Sequence, residues 1–394
     1  MVLDVDRARA DTPGVRNVAH FNNAGSALPP RQVTEAVIDH LRLESERGGY
    51  EAAAAAEERI EATYDSVAAL IGADRDEIAI VENATRAWDM VFYALAASFR
   101  PGDRILTSRA EYASNMIAFL QIAARSGVIV EAVDNDASGQ ISVDDLRDRL
   151  TARGVGPVRL IALTHVPTQG GLVNPAADVG RAAREFGVPY LLDACQSIGQ
   201  MPIDVSTIGC DFLTATGRKF LRAPRGTGFA YVRRDLIRSL EPPFLDLHAA
   251  TWTAADRFEI RPDARRFENW ETNVAGKIGL GVAASYAQSW GLTEIQQRVQ
   301  SLADTLRQRL RDRAGVRVHD QGERTCGIVT FTVDGTAPHE VQRRLAANGI
   351  NTSVSVVDYA RLDLEARHLT GLVRASVHYY NTDEEIDRLI AALP

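Results

Sequence analysis

The chain predicts an α/β protein: a mostly parallel sheet with helices on both faces, followed by a smaller C-terminal α+β domain. Three observations point there. Short apolar runs, each followed by a stretch of helical periodicity, alternate from Ile78 to Asp193. A length of 394 residues exceeds one small module and suits two domains around a sizeable core. Beyond about Phe258 the alternation gives way to long helical stretches and a few strands.

Ala36 to Arg47 and Ala52 to Leu70 read as amphipathic helices, the second ending before Gly72. Strand and helix pairs follow: Ile78–Val81 with Thr85 to Ala97, Arg104–Thr107 with a helix after Ser114, and Val128–Val133 with Val143 to Leu150. Val158–Leu163 with Ala176–Phe186 and the strand Tyr190–Asp193 complete the series. Helices then run from Ala275 to Trp290 and Leu292 to Arg313. Cys326–Val333 and Val373–Val377 read as strands around a helix from His339 to Asn348, and a helix from Asp383 closes the chain. The division falls at residues 15–257 and 258–394, with residues 1–14 packing on the second part. No low-complexity linker separates the two, so they should pack closely.

The formal charge is −8 and the basic residues are dispersed, which argues against nucleic acid as a partner. Met1 to Ala10 carries Asp4, Asp6, Arg7 and Arg9 and does not read as a signal peptide. No apolar run approaches the ~20 residues needed to cross a bilayer, so no membrane association is expected. Cys195, Cys210 and Cys326 lack metal-ligand spacing; no metal is expected, and a reducing cytoplasm is the natural compartment.

Three constellations carry chemistry. Lys219 lies in Thr214-Ala215-Thr216-Gly217-Arg218-Lys219, a turn-rich segment between the apolar runs Phe212–Leu213 and Phe229–Val232. That is an odd place for a solubilising charge, and a partly buried lysine beside Arg218 has the depressed pKa that Schiff-base chemistry needs. Asp193-Ala194-Cys195-Gln196 ends a strand, where ligands of open α/β sheets gather. A carboxylate there can pair with a protonated ring nitrogen, or equally serve as a helix cap. Glu82-Asn83-Ala84-Thr85-Arg86 sits at a strand-to-helix junction whose amides, with the Thr85 hydroxyl, suit a phosphate; Asn83 and Thr85 are also ordinary caps.

In this order, the segments resemble the class V aminotransferase family of fold-type I pyridoxal-phosphate enzymes. The resemblance runs from Phe21-Asn22-Asn23-Ala24-Gly25 to Arg374-Ala375-Ser376-Val377 and Tyr380-Asn381-Thr382. It implies a seven-stranded large-domain sheet, pyridoxal 5'-phosphate as cofactor, an amino-acid substrate and a homodimer. It also implies roles. Lys219 would carry the cofactor and move the α-proton. Asp193 would bind the ring nitrogen, Gln196 the phenolic oxygen, and Tyr112 would stack on the ring with Thr168 beside it. Ala84, Thr85, Arg86, Thr216 and Arg218 would hold the phosphate. Arg374 would grip the substrate carboxylate, with Asn23, Ala24 and Tyr50 near the substrate. Relatives often bring a phosphate-binding Thr from the partner subunit; here Glu271 stands near that position, and Thr272 or Asn273 is left to substitute.

The branch is read from two stretches. A persulfide-forming cysteine desulfurase needs a nucleophilic Cys shortly before the arginine at 374, and Asn351 to Val373 contains none. Gly48-Gly49-Tyr50-Glu51 and Glu111-Tyr112 resemble the branch with hercynylcysteine sulfoxide lyase and isopenicillin N epimerase. The glycines also read simply as one helix ending and another beginning. A C–S lyase acting by β-elimination on an S-substituted cysteine or its sulfoxide is therefore expected. The alternatives are an aminotransferase or epimerase and, more remotely, a non-catalytic cofactor-binding regulator. Arg361 and Arg367 read as surface charges in preference to ligands of a second anionic group. Phe244, His248 and Trp252 are entrance, core or dimer residues.

Overall fold

The computed structural model describes residues 3–394, leaving Met1 and Val2 of the N-terminal arm outside the described residues. Seven strands form the main sheet. In spatial order they are Ile78–Val81, Gly228–Val232, Phe212–Thr216, Tyr190–Asp193, Val158–Thr164, Arg104–Ser108 and Ile129–Val133. Gly228–Val232 runs antiparallel to both neighbours; the other pairings are parallel. The central strands are buried along their length and are built from apolar runs such as Leu160-Ile161-Ala162-Leu163 and Tyr190-Leu191-Leu192. That is the pattern of a parallel sheet covered on both faces. One core lies on each face, around Ile161, Leu163 and Leu213 on one side and Phe92, Phe119 and Leu191 on the other.

A second, antiparallel sheet holds the C-terminal part, in the order Val316–Val318, Ile328–Val333, Gly371–Ser376 and Ser353–Val356. Its core includes Phe331, Val373, Leu306 and Leu345, and it recruits Ala8, Ala19 and Phe21 from the N-terminal arm. Arg9 fixes that arm to the last helix through Glu385 at 2.9 Å and the Tyr380 carbonyl at 2.8 Å. Helix Val274–Trp290, which lies beyond residue 258, buries Leu280, Ala283 and Ala284 in a core of the main sheet and Tyr286 in that of the second. It is the beam on which both sheets rest.

The alternating segments appear where periodicity placed them, within a few residues. One predicted helix is two. Ala52 to Leu70 is broken at Ala56 into Gly49–Ala55 and Glu57–Ile71. Alanine is the best helix former, so propensity would not stop the helix there. Ala56 instead packs with Ala36 and Ile278 where three helices meet, and tertiary packing wins. The hairpin Ala250–Ala254 with Arg257–Ile260 was not anticipated: its strands are short and largely exposed, although Ala-Thr-Trp-Thr-Ala and Arg-Phe-Glu-Ile both alternate apolar and polar residues.

His165 follows the central strand Val158–Thr164, is 7% exposed, and has no hydrogen-bond partner at Nδ1. Burial, with a smaller contribution from Arg324, lowers its pKa from 6.5 to about 4. The folded state therefore favours the neutral ring. This stability is fully present above pH 6.5 and is lost as pH falls toward 4. Between pH 7.5 and 4.5, urea unfolding of the wild type should lose about 2.5 kcal/mol more than that of His165→Gln. Equal losses would contradict the assignment.

Candidate active site

The register of the central strands builds the site. Thr164 pairs with Asp193 across one strand boundary, and Asp193 with Thr214 across the next. Paired residues point to the same face of a sheet, so these three form a row at the carboxyl edge. They line a cavity together with Lys219 and Tyr112. Helix Ala84–Ala96 aims its N-terminus into the same space. Its cap is Asn83, whose side chain accepts from the Arg86 amide at 2.9 Å, while Ala84 and Thr85 line the cavity. Gly228 lets this helix start close to the sheet: a Cβ there would meet the Asn83 carbonyl carbon at 2.7 Å and the Ala84 nitrogen at 2.9 Å.

The Lys219 amine makes no hydrogen bond or ion pair among the described residues and stands 6.0 Å from the centre of the Tyr112 ring. Burial is the main force lowering its pKa. Arg218 and Arg374 add to the effect, while Cys195 and Asp193 oppose it. The chain contains two lysines, Lys219 and Lys277. Lys277 is occupied, bonded to Glu268 at 3.2 Å and to the Tyr64 hydroxyl at 3.0 Å. Asp193 is buried, and its partners are neutral: the Cys195 amide at 2.8 Å and Asn115 at 3.1 Å. The bond to Cys195, two residues on, is an Asx turn. It realises the capping role without exhausting the carboxylate.

Around this pair sit Gln196 and Thr168, 3.4 Å apart. Gln196 donates to the Ala24 carbonyl at 3.1 Å and leaves its Oε1 without a partner. Arg374, on strand Gly371–Ser376, donates to the Thr168 hydroxyl and to Asn22 at 3.4 Å, with its Nε unpartnered. Burial, with a smaller like-charge contribution from Arg218, lowers its pKa to about 10, which leaves it charged at neutral pH. A buried guanidinium without a carboxylate is costly, and this one stands ready for an anionic guest.

Of the expected site residues, Ala84, Thr85, Tyr112, Thr168, Asp193, Gln196 and Lys219 line the one cavity. Thr216 and Arg218 lie behind it, the first bonded to the Thr227 carbonyl at 3.4 Å and the second to the Gly25 carbonyl. Asn23 is fully buried and committed to the frame: it donates to the Ser376 carbonyl at 2.7 Å and accepts from Tyr380, while the Ala24 amide bonds Ser376 at 2.8 Å. Arg86 turns away, toward Asn269 at 3.3 Å and over the Phe244 ring at 5.0 Å. Tyr50 is 73% exposed and outside the cavity. Beside it, Gly48 ends one helix at φ +95 and the next begins at Gly49, as the simpler reading of those glycines had it.

Asn273 caps helix Val274–Trp290 through the Gly276 amide at 2.8 Å. Arg361 is a surface charge paired with Asp358 and Glu365. Arg367 is not a surface charge: it is partly buried and paired with Asp363 at 3.1 Å. His248 approaches the buried Glu268 at 3.3 Å, while Phe244 and Trp252 are exposed. Sequence reasoning passed over Asn115, Thr164 and Thr214, which line the cavity. Thr214 shares its strand face with Thr216, a period-two signal that was there to be read.

Arg222, three residues after Lys219, is 2% exposed and holds φ +63. That conformation costs about 1–2 kcal/mol in an L-residue. The side chain donates to the Leu28 carbonyl at 2.8 Å and to the Tyr379 and Thr12 hydroxyls, inside a ring of Tyr286, Tyr379 and Tyr380. Charged hydrogen bonds at about 1.5–3 kcal/mol each outweigh the strain. Arg222 thus clasps the Lys219 turn to the N-terminal arm and the C-terminal tyrosines.

The sequence profile of the class-V aminotransferases matches residues 19–389. The chain belongs to the class-V aminotransferase family. Two curated relatives of this family member are probable cysteine desulfurases. The one from Xylella fastidiosa is 32% identical, over 99% of this chain and 95% of its own length; the one from Methanothermobacter thermautotrophicus is 30% identical, over 98% and 96%. A solved apo cysteine desulfurase from Thermococcus onnurineus superposes with a TM-score of 0.92 at 26% identity, covering 99% of this chain and 97% of that one.

Membership in the class-V family makes this an enzyme that uses pyridoxal phosphate on an amino-acid substrate. The cavity fits that cofactor on its own chemistry. It offers an unpaired amine, a buried carboxylate with neutral partners, a helix N-terminus, and unpartnered buried polar atoms on Gln196 and Thr214, with the unpartnered Nε of Arg374 next to it through Thr168. Gly228→Ala would push the Asn83–Ala84 backbone outward and spoil the helix start. Its cofactor dissociation constant, by fluorescence titration, is expected to rise about tenfold or more for each ~1.4 kcal/mol lost. An unchanged constant would show that the helix N-terminus is not a ligand site.

Proposed function

We propose that the protein is a C–S lyase, cleaving an S-substituted cysteine or cysteine sulfoxide by β-elimination. The observation that carries this reading is the absence of any cysteine from Asn351 to Val373, the stretch before Arg374. The thiols elsewhere are unsuited to nucleophilic attack. Burial raises Cys326 to about 12, raises Cys210, and with the Asp193 charge raises Cys195 well above the usual thiol range. A sulfur that departs still bonded to the rest of the substrate needs no such thiol.

Bound in the cavity, the cofactor's ring supplies an electron sink for the substrate Cα. Lys219 holds the cofactor and then, with its lowered pKa, takes the α-proton as an amine. Asp193 would keep the ring nitrogen protonated, Tyr112 would stack on the ring, and Gln196 and Thr168 would bond to it. Ala84 and Thr85 would hold the phosphate. Arg374 grips the substrate carboxylate and thereby places the α-proton within reach of Lys219. The electron pair left at Cα then forms the Cα=Cβ bond as the Cβ–S bond breaks, and the pair of that bond departs with the sulfur. With one water consumed, an S-substituted cysteine yields a thiol, pyruvate and ammonia.

The curated relatives favour a second reading, desulfuration of cysteine itself, because they carry that name. The two differ in products. Incubation of the purified enzyme with S-alkyl cysteines and their sulfoxides should release pyruvate and ammonia in equal amounts. Alanine and protein-bound persulfide from free cysteine would instead establish the desulfurase. Amino transfer to a keto acid, or inversion at Cα without cleavage, would replace the lyase by an aminotransferase or epimerase.

We also infer a homodimer in the cytoplasm. Supporting the first, Phe244, Leu247, Trp252, Phe258 and Trp270 are all more than half exposed on one stretch of chain, a concentration of apolar surface that invites a partner. Supporting the second, three cysteines stand free of disulfides. Among the described residues no helix is long and apolar enough to cross a membrane. Sedimentation equilibrium should return twice the chain mass, falling toward one chain in Trp252→Glu; a wild-type monomer would refute the dimer.

A further inference from the structure

Behind the cavity, Glu111 is 3% exposed and has no cationic partner among the described residues. Four donors converge on it. The Thr107 and Thr164 hydroxyls come from neighbouring strands, the Tyr112 amide lies at 2.7 Å, and the Asn115 side chain at 2.9 Å. Burial pushes this carboxyl up, and those four hydrogen bonds oppose the push. Every partner donates, so Glu111 acts purely as an acceptor.

Asn115 is 4% exposed and occupies the first turn of helix Ala113–Ser126. Its amide nitrogen is shared between two carboxylates, Glu111 Oε1 at 2.9 Å and Asp193 Oδ2 at 3.1 Å. The orientation is fixed by chemistry: a flipped amide would set its carbonyl oxygen against two carboxylate oxygens. Asp193 Oδ1 is held separately by the Cys195 amide. Asn115 is therefore the side-chain amide that holds Asp193 Oδ2, and Glu111 is what turns its N–H groups inward. Glu111 also holds the backbone amide of Tyr112, so one buried carboxylate serves both the ring-stacking residue and the ring-nitrogen partner.

We propose that Glu111 and Asn115 are positioning residues for the cofactor ring: Glu111 orients the Asn115 amide, and Asn115 holds the Asp193 carboxylate toward the ring nitrogen. This rests on the reading of Asp193 given above, and the experiment separates the two. Holoenzyme is reconstituted with pyridoxal phosphate labelled with ¹⁵N in the ring, whose chemical shift reports protonation of that nitrogen. The cofactor dissociation constant is measured alongside. Asp193→Asn serves as reference and should move the shift toward the deprotonated position.

Asn115→Leu, similar in size but with no donor, should move it the same way and weaken cofactor binding by about tenfold to hundredfold; Asn115→Ala is the smaller second variant. Glu111→Met, which removes the acceptor, should follow. Glu111→Gln should stay close to wild type, because its carbonyl keeps the Asn115 contact while the Thr107 hydroxyl reverses to accept. A wild-type shift and affinity in both Asn115 variants, with only thermal stability lowered, would overturn the proposal. So would Glu111→Gln behaving like Glu111→Met. A wild-type shift in Asp193→Asn would bring down the reading of Asp193 itself, and the proposal with it.

Discussion

The site depends on one constraint: a carboxylate, Asp193, buried at the carboxyl end of a central strand and held, among the described residues, by neutral hydrogen-bond partners. Burying a charge is expensive unless something compensates it. Two amide donors make the carboxylate tolerable without neutralising it. Lys219, which lines the same cavity, is itself pulled toward its free-base form by burial. The result is an enclosed space with a fixed negative edge and an unprotonated-leaning amine opposite. That polarity suits a cationic aromatic ring carrying an aldehyde. The parallel sheet makes the arrangement possible, because its register places Thr164, Asp193 and Thr214 in one row.

The second sheet supplies what the first lacks. Arg374 enters the site from strand Gly371–Ser376, and its neighbour Ser376 holds Ala24 and Phe21 of the N-terminal segment. Arg222 closes the loop between the Lys219 turn, Thr12, Leu28 and Tyr379. The cofactor side and the substrate side are thus joined by buried polar contacts from three distant stretches of chain. Lys219 and Arg374 keep their relative positions through that clasp as well as through the shared core of helix Val274–Trp290.

Much of this was legible in the sequence, and the unread parts have physical causes. Alternating apolar runs exposed the strands, and the order of the motifs carried Lys219, Asp193, Thr85 and Tyr112 to one place. Asn115 was missed because its role arises from the packing of helix Ala113–Ser126 against the sheet, which periodicity does not encode, whereas Thr214 carried a period-two signal with Thr216 that went unread. Asn23 and Arg86 lie in motifs beside the site, yet their side chains bond the frame and the 244–269 segment. Arg367 looked like surface charge because a buried ion pair 4 residues apart on one helical turn is indistinguishable in sequence from an exposed one.

The account's central claim is that Lys219 carries the cofactor. A chain with two lysines allows an unusually clean trial, since Lys277 is engaged by Glu268 and Tyr64. Reduction of the holoenzyme with borohydride, followed by digestion and peptide mass mapping, fixes the cofactor to whichever amine holds it. The account predicts the added cofactor mass on the peptide containing Lys219 and none on that containing Lys277. An unmodified Lys219, or label on Lys277 alone, would contradict it.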